Sequence, residues 1–455
     1  MTWWRICAVI GLSASCATAQ TSKFTIPVTS GTIANGLRYV LSQDHTTPIV
    51  TIAVYYHIGF RIEPRDRTGF AHLFEHLMFQ GSQNLGKLEF VQLVHSNGGS
   101  LNGSTRFDFT NYYEVVPSNT LQTFLWAEAD RMRSLAITQE NLTNQQGVVK
   151  SEVRVNVLNQ PYGGFPWLDM PQYANTNWYN AHNFYGDLRD IDAATLADAQ
   201  AFHKTYYSPR NAVVVVTGDF VESQAKAWIE QYFSTIPDSP LPPRPDIKEP
   251  PQQKEIRASK TDSLANRPAL AFAYHMPPRN TPEYFAMGLI DQILLQGHDA
   301  RLYQALVQRG GVTGDVSGGI NLLGNMFDYE GSMLWEVSLF HDAKHSPDEI
   351  LRLADAVIDS LRTVPVDAAT LARARVKERA ALYDILGGQE GGRADLLACY
   401  ALFDNNASYV NSLESQFQNV TPAVILETAK EYLRPTNRTV LTIVPRKNAN
   451  GAVGK

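Results

Sequence analysis

Gly69-Phe70-Ala71-His72-Leu73-Phe74-Glu75-His76-Leu77-Met78-Phe79-Gln80-Gly81 is the stretch on which the reading of this chain turns. Thr68 before it is a suitable N-cap, Leu73, Leu77 and the neighbouring aromatics supply an apolar face, and Gly81 can close it, so a helix is predicted over 69–80. On that helix His72 and His76 stand four residues apart and share a face. Two neutral imidazoles at that spacing can reach one divalent ion, with Glu75 beside them and free to work as a base. Histidine and glutamate also meet by accident on solvated helix faces. A helix this apolar keeps its histidines out of bulk water, where unpaired imidazoles are costly, and a metal is the simplest partner.

A catalytic zinc has three protein ligands and one open position, so a third ligand has to come from elsewhere. Val148-Val149-Lys150-Ser151-Glu152-Val153-Arg154 reads as helix, after an apolar helix over 121–132, and offers Glu152. Spacing alone does not separate Glu152 from Glu128 or Glu140.

Beyond the motif, the chain has 455 residues, 44% hydrophobic and 18% charged, enough for two or three domains with buried cores. Its 39 basic and 45 acidic residues leave a net charge of -6, so a nucleic-acid partner is not expected. Residues 1–19 read as an export signal: Arg5, an apolar stretch over 6–14, then Ala17-Thr18-Ala19 as a small-residue cleavage site. A periplasmic or secreted location follows, with no membrane span, because no later apolar run reaches transmembrane length. Cys7 and Cys16 leave with the signal, so the mature chain keeps only Cys399, read as a core residue, and forms no intrachain disulfide.

Seven prolines between Pro237 and Pro251 mark a stiff, exposed linker at 237–252, dividing a first domain at 20–236 from a second at 253–455. Strands are expected at 37–41, 51–56 and 213–216 in the first half and at 270–274 and 440–444 in the second. The halves also look like diverged copies. The run from Phe74 to Gly81 lines up with that from Ile290 to Gly297, both ending Gln-Gly, and Tyr207-Ser208-Pro209-Arg210-Asn211 lines up with Tyr432-Leu433-Arg434-Pro435-Thr436-Asn437. Gly288, Asp291 and Gln292 then stand where His72, Glu75 and His76 do, so the second copy is read as inert. His341 and His345 repeat the four-residue spacing but are read as a polar loop.

The His72–His76 motif with a glutamate far downstream resembles the inverted zincin motif of the pitrilysin/insulinase metallopeptidases. The resemblance covers the mature chain through Gly98-Gly99-Ser100-Leu101-Asn102-Gly103-Ser104-Thr105, Thr110-Asn111-Tyr112-Tyr113-Glu114, Gln160-Pro161-Tyr162-Gly163, Pro209-Arg210-Asn211 and Gly218-Asp219. It is strongest to the short bacterial members related to the mitochondrial processing peptidase. It implies an α+β fold of two similar domains, each a mainly antiparallel sheet carrying helices, in a clamshell. It also implies one zinc held by His72, His76 and Glu152, with Glu75 as general base in peptide hydrolysis. A substrate peptide would lie as an added strand along Gly99, Ser100, Leu101, Asn102 and Gly103. Two departures stand out. Gln145 occupies the place of a second family glutamate, and Val307 and Gly314 occupy those of a substrate-binding Arg and Tyr. The resemblance with these gaps implies a zinc-bearing subunit paired with a homologous metal-less partner that supplies the Arg and Tyr, or a homodimer using other residues such as Arg301 or Arg309. The competing reading is a non-catalytic peptide-binding or assembly subunit on the same fold.

Overall fold

Continuous apolar runs such as Ala212-Val213-Val214-Val215-Val216 form the middle strands of two sheets, as strands covered on both faces must. The computed structural model describes residues 25–388 and 391–446; the export signal read at 1–19, with Cys7 and Cys16, lies outside them. In the first half β1 (Thr29–Thr32), β2 (Arg38–Gln43), β3 (Ile49–Tyr56), β4 (Ser100–Thr105), β5 (Thr110–Pro117) and β6 (Ala212–Gly218) pair in the order β1-β2-β6-β3-β5-β4. In the second, β7 (Ile256–Asp262), β8 (Ala269–His275), β9 (Ser317–Ile320), β10 (Leu334–Phe340) and β11 (Arg438–Pro445) pair in the order β7-β11-β8-β10-β9. With β1 set aside the two orders coincide strand for strand. Each sheet has a single parallel pair in the same place, β2 with β6 and β7 with β11, and is otherwise antiparallel. The expected duplication and α+β class are therefore present in the topology.

Helices repeat the correspondence. After the second strand of each unit comes α1 (Phe70–Leu77) or α4 (Pro282–Leu294). After the hairpin that follows come α2 (Leu121–Ser134) and α3 (Gln139–Val153), or α5 (Pro347–Thr363) and α6 (Ala368–Gly387). One further helix, α7 (Arg393–Asp404), belongs to the second half but lies on β2, β3 and β6 of the first sheet. Val40, Ala53, Tyr55, Val213 and Val215 thus share a core with Leu396, Leu397 and Tyr400. The opposite face of that sheet, Ile52, Val54, Val214 and Val216, packs on Leu73, Phe74, Phe124 and Leu125 of α1 and α2.

Two expectations change, those for Thr68 and His341. The start of α1 is capped by Glu63, whose carboxylate accepts from the backbone N–H groups of Gly69 and Ala71. Thr68 turns away instead, donating to Asp190 and accepting from the Asp187 N–H. The proline segment holds no helix or strand but is pinned down: Glu249 accepts from Thr176, Asn177 and Asn180, and Arg244 pairs with Glu330. His341 is buried at the end of β10, its ring against the Asp342 carbonyl, while His345 pairs with Glu349. Cys399 is fully buried, as expected.

Candidate active site

The site grows from α1. Leu73 and Phe74 are fully buried against the first sheet, which fixes the rotation of the helix and turns His72, Glu75 and His76 toward the other face. Its C-terminal end is held by Tyr112, whose hydroxyl donates to the Phe74 carbonyl, and by Arg131, which reaches the Met78 carbonyl. α3 then lays Glu152 across the two imidazoles. His72 Nε2 and His76 Nε2 are 3.3 Å apart, Glu152 Oε2 lies 3.2 Å from His76 Nε2, and Glu152 Oε1 lies 3.7 Å from His72 Nε2. Ligand atoms about 2.1 Å from a tetrahedral metal are separated from one another by roughly 3.4 Å, so the donor set and its spacing fit a zinc ion. His72, His76 and Glu152 converge as the sequence suggested; Glu128, one of the alternatives, is buried elsewhere against Arg131.

Electrostatics favour lone-pair donation from His72 and Glu152. Burial, reinforced by the neighbouring His76, pushes His72 down to about 4, so its imidazole is neutral. Glu152 is held below the usual carboxylate range by its bond to His76 and the nearby His72. Burial also lowers His76, but its bond to Glu152 and the charge of Glu75 outweigh that and raise it. Glu75 is raised by burial, against which a hydrogen bond donated by Thr105 Oγ1 at 2.7 Å works. Gln145, in place of an acidic residue, is buried and hydrogen-bonded to His76, adding no charge.

Two contributors were given no role by the sequence reading. Thr105 ends β4 and steadies Glu75. Tyr185 arrives on an irregular segment, sets its ring edge-on to His72 at 5.2 Å between centroids, and donates to Glu152 Oε1 at 3.3 Å. Only the Gly186 backbone at φ +69 hints at the tight turn that brings it in, and a side chain there would strike the backbone of Thr68 and Gly69.

The site opens on a cavity of 610 Å³ between the halves. One wall is β4, the outer strand of its sheet, with Asn102, Gly103, Ser104 and Thr105; the other comes from Asn325, Asp328, Ile385 and Asp395 of the second half. Of the expected substrate strand, Asn102 and Gly103 line this cavity, Ser100 lines a neighbouring one, Leu101 lines neither, and Gly99 precedes the strand. Val307, Gly314, Arg301 and Arg309 stay outside its wall. The counterpart site in the second half is closed. A side chain at Gly288 would meet Phe417 and Met326, Asp291 accepts from Trp335 and Gln296, and Gln292 donates to Glu378 of α6 where His76 meets Glu152 of α3.

A duplicated sheet-and-helix unit, with a histidine pair and two glutamates on one copy, defines a peptidase clamshell, and comparison with known proteins agrees. Residues 38–177 match the family model for insulinase (peptidase family M16), and residues 193–377 match that for the peptidase M16 inactive domain. The chain belongs to the M16 peptidase family. It is 26% identical to the zinc protease PqqE of Helicobacter pylori over 91% of this chain and 92% of that one. Among solved structures it resembles a protease from Helicobacter pylori (TM-score 0.85, 24% identity, 93% of this chain and 100% of that one). It also resembles the periplasmic protease PqqL from Escherichia coli (TM-score 0.73, 17% identity, 93% of this chain and 48% of that one).

Proposed function

We propose that this chain is a zinc-dependent endopeptidase that hydrolyses short or unfolded peptides. The observation that carries the reading is the convergence of His72, His76 and Glu152 with Glu75 beside them at the mouth of a cavity. His72 and His76 would hold one zinc through Nε2 and Glu152 through its carboxylate, with Tyr185 steadying that carboxylate. Bound zinc supplies Lewis acidity that acidifies water and polarises a peptide carbonyl. Glu75, kept basic by burial and aimed by Thr105, takes a proton from the attacking water and passes it to the leaving amine. The peptide lies along the free edge of β4, whose unpaired backbone groups can hydrogen-bond an added strand at Asn102 and Gly103.

The chain is the zinc-bearing member of a pair, either with a homologous metal-less subunit or with a second copy, because Val307 and Gly314 bring no Arg or Tyr to the cavity. Its location is periplasmic or secreted. A periplasmic structural relative supports that placement, and no helix among the described residues is long and apolar enough to cross a membrane.

Metal analysis and peptide cleavage on wild type, His76→Ala and Glu75→Gln, alone and with any co-purifying partner, test the reading. About one zinc per chain is expected in wild type, absent from His76→Ala and retained by an inactive Glu75→Gln. A wild type without zinc would point instead to a non-catalytic peptide-binding or assembly subunit.

A further inference from the structure

Within the cavity wall one cation stands apart. Arg106 is the single Lys or Arg among the described residues that line it, and it follows directly on Thr105, whose hydroxyl holds Glu75. Its backbone is committed, the N–H donating to the Phe109 carbonyl at 2.8 Å and the carbonyl accepting from the Phe60 N–H at 3.2 Å, so the point where the side chain leaves is fixed. The guanidinium lies within electrostatic reach of Glu75 on one wall and of Asp328 and Asp395 on the other, which places it over the cavity. It nevertheless forms no ion pair with them. Asp395 accepts from the Tyr55 hydroxyl at 2.7 Å and Asp328 from the Asn325 N–H at 3.1 Å. Burial raises both carboxyls above the ordinary aspartate range, reinforced at Asp328 by the nearby Asp395 and opposed at Asp395 by its bonds to Tyr55 and Asp328. A guanidinium carries five donors in a planar fork that matches a carboxylate, and in a half-enclosed cavity such a fork, with no ion-pair partner among the described residues, is a recognition element.

We propose that Arg106 binds a carboxylate of the substrate beside the scissile bond, so that the cavity selects peptides carrying either an acidic side chain or a free C-terminal carboxylate there. This rests on the peptidase reading above and names the substrate class of the same site. Asn102 and Gly103 engage the peptide backbone and are indifferent to its side chains; Arg106, one residue past the end of that strand, supplies the discrimination.

The test is binding without turnover. Two matched peptide pairs are titrated against the full-length Glu75→Gln chain with any co-purifying partner, one pair differing as internal Glu against Gln, the other as free C-terminal acid against C-terminal amide. At least one pair is expected to show the acid bound about ten- to hundredfold more tightly. That ratio should fall to about one when Arg106→Gln is added and be partly kept by Arg106→Lys, zinc content serving as the check on folding. The pair that shows the preference identifies the source of the carboxylate. Equal affinity within both pairs, or a preference that survives Arg106→Gln, would overturn the inference and leave the peptidase reading intact. Absence of both zinc and peptide binding would overturn both.

Discussion

Glu75 combines two opposed influences, burial that raises its proton affinity and the Thr105 hydroxyl that lowers it. Removing the hydroxyl while keeping the shape leaves burial unopposed. Thr105→Val should therefore move the acid limb of kcat/KM to higher pH, since a base must be ionised to act, and a pH-rate profile reads the shift. Tyr185→Phe removes only the donor to Glu152. Zinc affinity should drop about tenfold, the effect of losing a partner that orients a metal ligand, and competition with a chelator measures it. At this scale the histidine pair and Glu75 were legible because helical spacing alone places them on one face. Glu152 needed the family resemblance, since spacing did not distinguish it from Glu128 and Glu140. Tyr185 was not legible, because it reaches His72 and Glu152 from an irregular segment with no periodic pattern to read.

The element that matters most is α1, and its cap illustrates where sequence reading fails. A local N-cap was expected at Thr68, yet a buried carboxylate six residues before Gly69 satisfies the first N–H groups. Local capping patterns look for side chains adjacent to the helix and miss one delivered by a preceding turn. Burial pushes Glu63 up to about 8, against the pull of those backbone bonds. An unfolded glutamate releases its proton near pH ~4.3, so between about pH 4.3 and about pH 8 the folded chain binds the extra proton and loses stability as pH rises. Glu63→Gln lacks this dependence. Its melting temperature should therefore gain on that of wild type from about pH 5 to about pH 8 in thermal denaturation. Leu73→Ala, at a fully buried position of the same helix, should cost about 2–5 kcal/mol in denaturant titration.

For the whole molecule, Asp108 joins the halves. It forms an ion pair with the buried guanidinium of Arg61 at 2.8 Å and accepts from the Glu330 N–H of the second half at 2.8 Å. Asp108→Ala leaves Arg61 buried without its counter-charge, and a loss of about 3–5 kcal/mol is expected in equilibrium unfolding. Duplication was readable from two motif matches in the same order. The identical strand order was not, since it depends on which distant strands pair, and neither was the placement of α7, whose apolar pattern says that it is covered but not by what.

That placement governs the order in which the chain can mature. The strands β2, β3 and β6 are complete once residue 218 has been synthesised, but the helix that covers one of their faces comes only with residues 393–404. A nascent first half therefore carries a bare valine-rich face from the completion of β6 until α7 is made, the condition under which holdases bind and under which premature release leads to aggregation. The half that carries His72 and His76 is the first to be made, yet it is finished only by a helix from the second.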